Sequence, residues 1–164
     1  MPDTPDTAAA LPTAAGRRVP AGLRRFLSWA AVLLWAGVIF RFSALPGSEI
    51  PARFSEVGHF SEYAMLGALL YLALRTDLDR GTALAVAIIT ASVYGGTDEF
   101  HQHFVVMRTP DVADWGMDTI GAMFGGLAAI AIEAGARRFW GRRAAASAVG
   151  ADAADSDTVG NAAD

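Results

Sequence analysis

Residues 26–40, FLSWAAVLLWAGVIF, form an apolar run without a charged side chain, and this run decides the fold class. As an α-helix it rises only about 22 Å. The flanks from Arg24 to Ser43 lengthen it to the about 20 residues that cross a bilayer, and Arg25 and Arg41 can reach the two interfaces. A cleaved signal peptide is the alternative, because arginines precede the apolar core. The tryptophan-rich core and the lack of a clear A-x-A site favour an uncleaved helix.

Three further apolar segments follow the first one, and short connections separate them. Short connections favour an antiparallel arrangement of neighbouring helices. The sequence therefore predicts an all-α integral membrane protein, a four-helix antiparallel bundle within residues 17–143. The predicted spans are about 24–43, 57–74, 81–97 and 115–133. Low-complexity composition predicts a disordered arm at 1–16 and a disordered tail at 144–164.

The overall composition supports a membrane protein and excludes several other classes. Charged residues make up 18% of the chain, below the about 25% typical of soluble domains, and the mean hydropathy is positive. The absence of cysteine excludes disulfides, thiolate metal sites and cysteine nucleophiles. A net charge of −4, without any basic run longer than an arginine pair, argues against a nucleic-acid partner.

The arginines predict the orientation of the helices in the membrane. All 13 basic residues are arginine, and ten of them fall on one side of the four-span arrangement. The other side carries only Arg41, Arg53 and Arg108. Cytoplasmic flanks are enriched in basic residues, so we expect a multi-pass cell-membrane protein with both termini in the cytoplasm.

Polar side chains concentrate at the side opposite the arginines, which this topology makes the outer one. His59, Glu62 and Tyr63 share one face of the second helix by their spacing, as do Asp114 and Asp118 in the fourth. Charges at membrane depth are costly and usually face a bundle interior or a wet cavity. We therefore predict one binding cluster at the outer leaflet. Its candidate members are His59, Glu62, Tyr63, Asp98, Glu99, Gln102, Arg108, Asp111, Asp114 and Asp118.

Purely structural interpretations remain open for these residues. Asp111 and Asp114 follow Pro110, where carboxylates favour the start of a helix. Asp98 and Glu99 flank a predicted loop and would then be solvated. Glu62 and Asp118 would in that case form a buried pair with Arg108 or His59.

Small residues at helical spacing predict where helices approach one another. Gly121 and Gly125 form a G-x-x-x-G step in the fourth helix, which lets another helix come close. In the third helix the corresponding stripe, at a spacing of four, consists of Ala83, Ala87, Ala91 and Gly95. These stripes lead towards the polar residues at the outer ends of their helices.

The order of several short motifs resembles a known family. Residues 59–63 read HFSEY, residues 98–104 read DEFHQHF, and Arg108, Asp111 and Asp114 follow with the spacing R-x-x-D-x-x-D before a glycine-rich last helix. This set is similar, over about residues 26–135, to the VanZ-like family of bacterial membrane proteins, named for a teicoplanin-resistance protein. The resemblance implies four membrane helices, a cell-envelope role and glycopeptide resistance. It brings no established catalytic residues.

Two positions depart from the family pattern. Glu56 stands where relatives often have lysine, and Asp118 stands where they often have asparagine. A reversed charge and an added charge change the electrostatics of the cluster. These differences weaken any inference that this chain acts on the same ligand as its relatives.

The predicted function is an outer-leaflet binding or resistance factor that contacts membrane lipids and a lipid-linked cell-wall precursor or a glycopeptide. The alternative is a membrane enzyme that uses carboxylate and histidine acid–base chemistry on a lipid-linked substrate. A small transporter and a passive scaffold are less favoured. We expect no cofactor and no metal, because H-x-x-E is common by chance and no further ligand spacing supports a site.

Overall fold

The computed structural model describes residues 19–49 and 55–160, with side chains described for 19–49 and 57–147. The predicted disordered arm at 1–16, the last four residues of the predicted tail, and Arg53 lie outside the described residues.

The described residues form four long α-helices and contain no β-strand. The helices are α1 (Ala21–Ser43), α2 (Ser55–Leu74), α3 (Arg80–Gln102) and α4 (Val112–Gly160), with a short 3-10 turn at Gly47–Glu49 between the first two. The prediction of an all-α four-helix fold is therefore confirmed.

Two helices extend beyond their predicted ends. Helix α3 continues to Gln102, so Asp98 and Glu99 lie on the helix and do not flank a loop. Helix α4 continues to Gly160 and so includes residues 144–160, beyond the predicted fourth span. The segment is rich in alanine and contains no proline, and alanine has the highest helix propensity of any residue.

The helices alternate in direction, as an antiparallel bundle requires. Two contacts of α1 show this: Arg25, near its start, pairs with Asp77, just after α2, at 3.1 Å, and Trp35, further along α1, donates from Nε1 to the carbonyl of Glu62, near the start of α2, at 2.9 Å. Helices α2 and α3 lie in the middle. In the described part of the chain, α1 contacts only these two, and α4 packs on both from the other side.

Helices α2 and α4 approach each other at backbone distance. A Cβ atom built on Gly125 would overlap the carbonyl oxygen of Ala64, and one built on Gly121 would overlap that of Phe60. Gly67 makes the reciprocal approach against Ala122. The predicted G-x-x-x-G contact is thus observed, and its partner is α2.

The packing stripe predicted for α3 is also observed. Ala83, Ala87 and Ala91 are completely buried, and Gly95 continues the stripe towards the polar residues. Because these small side chains bring α3 close to its neighbours, Asp98, Glu99 and Gln102 are also drawn into the bundle and buried.

Within the described part of the chain, three helical segments are long and apolar enough to cross a membrane: Ala21–Ser43, Val57–Leu74 and Val112–Ser147. Large apolar side chains such as Leu33, Leu34 and Phe124 point outward, as expected for a surface in contact with lipid. Helix α3 is less apolar, because alanine, serine and threonine fill much of it and its last turns carry acidic residues. The number of spans and their orientation stay predictions.

Candidate functional site

The candidate residues come together at one end of the bundle because the helices are antiparallel. The end where α2 and α4 begin is also the end where α3 finishes. We call this region the polar end. It is defined by the six buried or half-buried side chains of His59, Asp98, Glu99, Gln102, Asp114 and Asp118.

The centre of the polar end is a hydrogen bond between His59 and Asp118. The two atoms, Nδ1 of His59 and Oδ1 of Asp118, are 2.9 Å apart, and the ring N–H donates to the carboxylate. Asp118 is completely buried, and its second oxygen, Oδ2, has no hydrogen-bond partner among the described residues. A Cβ atom on Gly95 would lie 2.8 Å from that oxygen, so the last glycine of the α3 stripe makes room for this carboxylate.

Asp114 faces the other side of the same imidazole ring. Its Oδ2 lies 3.7 Å from Nε2 of His59, and its side chain is 20% exposed. Asp114 and Asp118 share one face of α4, as their spacing predicted. His59 is therefore held between a fully buried carboxylate and a partly exposed one.

Glu99 lies beside this pair at the end of α3. One of its oxygens, Oε2, accepts a hydrogen bond from the backbone N–H of Asp111 at 2.8 Å. The other oxygen, Oε1, is buried and has no hydrogen-bond partner among the described residues. Glu99 thus has the capacity to accept one more hydrogen bond or to bind a cation.

Asp98 and Gln102 form a second buried pair one turn apart on α3. The amide of Gln102 donates from Nε2 to Oδ2 of Asp98 at 3.2 Å, and both side chains are buried. Asp111, in contrast, is exposed, and its carboxylate accepts from the backbone N–H of Ala113 at 2.8 Å. The carboxylate of Asp111 therefore acts at the start of α4, as the structural interpretation proposed, while its backbone N–H donates to Glu99.

Two other predicted residues contribute less directly to the polar end. The side chain of Glu62 is half-buried and makes no hydrogen bond or ion pair among the described residues. Tyr63 is fully buried, with its hydroxyl unpartnered among those residues and its ring centroid 6.2 Å from that of Tyr94. Tyr63 therefore contributes mainly to packing.

The structural interpretation gave Arg108 or His59 as the partner of Glu62 and Asp118. Asp118 pairs with His59, and neither carboxylate pairs with Arg108. Arg108 instead donates from Nε towards the carbonyl of Leu45 at 3.5 Å, and it makes no ion pair with a described carboxylate. The reason is a backbone hydrogen bond of 3.1 Å from the N–H of Gly47 to the carbonyl of Val106. This bond attaches the loop after α3 to the segment after α1 and places Arg108 beside that segment.

A small recess of about 210 Å³ opens next to Glu99. Six residues of α3, α4 and the loop between them line it: Gly96, Glu99, Pro110, Asp111, Val112 and Trp115. Trp115 is oriented by a hydrogen bond of 2.8 Å from its Nε1 to the carbonyl of Ser92. The sequence analysis did not single out Trp115, although a tryptophan at the end of a predicted span is a common interfacial residue.

The polar end is strongly acidic. Asp98, Glu99, Asp114 and Asp118 gather around one histidine, and Arg108 lies apart from them. An acidic region of this kind attracts cations, amines and hydroxyl groups and repels an unaccompanied phosphate. His59, Glu99 and Asp118 also offer one metal-ligand atom each, all within 4.8 Å of one another.

Comparison with known proteins gives one match. No curated protein and no solved structure matches the chain. The family model VanZ/LLP1 matches residues 21–133, which include all four helices as far as the middle of α4 and every residue of the polar end. The chain is therefore a membrane protein of the VanZ/LLP1 family.

Proposed function

We propose that this protein acts in the bacterial cell envelope as a multi-pass inner-membrane protein that binds the polar headgroup of an envelope lipid at its polar end. The bias of the arginines supports an outward-facing polar end and cytoplasmic termini. The family match and the three apolar helices support the membrane location.

The observation that carries this proposal is the recess at the polar end, which Glu99 and Trp115 both line. One oxygen of Glu99 is buried without a hydrogen-bond partner among the described residues, which is costly, and a ligand hydroxyl or amine that reached it from the recess would satisfy it. Trp115 offers an apolar ring on the same recess. An acidic acceptor next to an aromatic face is suited to a sugar, which presents hydroxyl groups at its edge and C–H groups on its face.

The size of the recess limits the ligand. Pockets for drug-sized molecules measure about 300–1,000 Å³, and this recess of about 210 Å³ is smaller. It suits one sugar ring or one headgroup, and a whole glycopeptide antibiotic is too large for it. We therefore favour a lipid-linked cell-wall precursor as the ligand. Resistance to teicoplanin-type glycopeptides would follow if a precursor bound to this protein were less accessible to the drug.

Retention of a lipid-linked cell-wall precursor by the purified protein tests the binding. In native mass spectrometry, we expect the native protein to keep the precursor and Glu99→Gln to bind it about tenfold or more weakly, since a hydrogen bond to a charged group contributes about 1.5–3 kcal/mol. Glu49→Gln is the matched control, because Glu49 is exposed and lies outside the recess. Equal retention by the native protein and Glu99→Gln would contradict the proposal.

Drug susceptibility tests the resistance role separately. Expression of the native protein in a glycopeptide-sensitive host should raise the inhibitory concentration of teicoplanin, and Glu99→Gln at equal membrane abundance should raise it less. An unchanged inhibitory concentration with the native protein would contradict the resistance role. Headgroup binding would still be decided by the retention experiment.

The His59–Asp118 pair favours a second candidate, a membrane enzyme acting on a lipid-linked substrate. A carboxylate that accepts from Nδ1 orients an imidazole so that Nε2 can accept or donate a proton. Incubation of the native protein and of His59→Gln with a lipid-linked precursor would distinguish the candidates. Product formed by the native protein and lost in the variant would favour the enzyme, and no product from either would favour binding alone.

A further inference from the structure

The geometry of the polar end points to a divalent transition-metal site, for a cation such as Zn²⁺, formed by His59, Glu99 and Asp118. One ligand atom from each residue lies within 4.8 Å of the others. The three residues come from three different helices, α2, α3 and α4, and all three are buried. This inference goes beyond headgroup binding and reverses the expectation, drawn from motif spacing, that the chain has no metal.

The unsatisfied oxygens are the independent reason to infer a ligand here. Asp118 is 0% exposed and Glu99 is 7% exposed, and each has one buried oxygen without a hydrogen-bond partner among the described residues. Two carboxylates buried this close to each other repel, and a single histidine compensates only part of their charge. A divalent cation would satisfy the free oxygens and neutralise the negative charge in one step.

The type of ligand atom selects the class of metal. Imidazole nitrogen together with carboxylate oxygen suits Zn²⁺ and similar transition metals, whereas Mg²⁺ and Ca²⁺ prefer oxygen ligands alone. Zinc–ligand bonds of about 2.0–2.2 Å in a tetrahedral site place the ligand atoms about 3.4 Å apart. A separation of up to 4.8 Å therefore requires a contraction of up to about 1.4 Å, which a rotamer adjustment of the long Glu99 side chain can provide.

Asp114 lies at the other ring nitrogen of His59, on the more exposed side of the polar end. Its Oδ2 lies 3.7 Å from Nε2 of His59, and its side chain is partly exposed. With the cation at Nδ1 of His59, beside Asp118, Asp114 would orient the ring from the opposite nitrogen, and the fourth coordination site would go to a water molecule or an oxygen of a bound headgroup. A cation held here would also let an acidic polar end accept a phosphate-bearing headgroup, which it would otherwise repel.

Isothermal titration with Zn²⁺ tests the site. The protein is purified in detergent with its affinity tag removed, stripped of lipid and metal, and titrated with Zn²⁺ alone. We expect one equivalent to bind in the micromolar range or tighter, and Glu99→Gln and Asp118→Asn each to weaken binding at least tenfold. Both substitutions preserve side-chain shape, and Glu99→Gln retains an oxygen for the N–H of Asp111. Circular dichroism and size-exclusion profiles matching the native protein confirm that the variants fold.

His103→Ala is the matched control, because His103 is exposed and lies near the same end of the bundle without belonging to the triad. Its affinity for Zn²⁺ should equal that of the native protein. Absence of stoichiometric binding, unchanged affinity in Glu99→Gln, or equal weakening in His103→Ala would overturn the inference. The titration contains no headgroup, so its failure would leave the precursor-retention experiment, and with it the proposed function, unaffected.

Discussion

Substitution of Gly125 by alanine should separate α2 from α4 and destabilise the bundle. The added Cβ would overlap the carbonyl oxygen of Ala64 and would lie 2.6 Å from its carbonyl carbon and 2.9 Å from its Cα. These atoms belong to the backbone, so no side-chain rotation can relieve the overlap. Since ordinary van der Waals contact begins near 3.4 Å, the two helices would have to move apart.

The size of the effect follows from two opposing contributions. Overpacking of a tight contact costs about 1–3 kcal/mol, and a rigid backbone neighbour places this case near about 3 kcal/mol. Replacement of glycine by alanine inside a helix returns about 1 kcal/mol. We therefore expect Gly125→Ala to lower the free energy of unfolding by about 2 kcal/mol.

Gly135→Ala is the control on the same helix. A Cβ on Gly135 meets no atom within 4 Å, so only the gain of about 1 kcal/mol in helix propensity remains. The two variants should thus differ by about 3 kcal/mol in mixed-micelle unfolding followed by circular dichroism. If Gly125→Ala proved as stable as Gly135→Ala, the close approach of α2 and α4, and the position it gives His59 relative to Asp118, would be refuted.

Three further predictions concern the ends of the bundle. His59→Ala should lower the free energy of unfolding by about 3 kcal/mol, because it leaves the buried Asp118 unpaired. The double variant with Asp118→Ala should lose less than the sum of the two single losses, and additive losses would show that the pair is not coupled. Asp79 begins α3 by accepting from the side chain and the backbone of Thr82 and from the backbone of Gly81, which lowers the pKa of its carboxyl. The native protein should therefore be thermally more stable than Asp79→Ala above the ordinary Asp pKa of about 3.9, and this difference should be lost as pH falls through the lowered pKa of the folded protein. A difference in stability that does not depend on pH would contradict this role. Because the chain has no cysteine, a single Phe104→Cys should react with an impermeant maleimide from outside intact cells and Asp77→Cys only after permeabilisation; the reverse pattern would overturn the proposed orientation.

The sequence alone was enough to predict the four helices and to place the candidate polar residues at one end of the bundle. Apolar runs, glycine and alanine stripes and helical spacing are local properties, and they correctly indicated the packing face of α3 and the glycine contact on α4. The same local reasoning placed the end of α3 too early. Helix ends depend on capping and on packing against neighbours, which one-dimensional patterns describe poorly.

The partner of each polar side chain was decided only by the tertiary structure. Sequence spacing could place His59 and Asp118 at the same end of the bundle, but their contact spans 59 positions and depends on the backbone approach of α2 and α4. For the same reason Glu99 joins His59 and Asp118, whereas Arg108 is held beside Leu45 by the attachment of its loop to the segment after α1. Residue type and periodicity determine which face a side chain occupies, whereas the pairing of faces depends on how closely whole helices can approach.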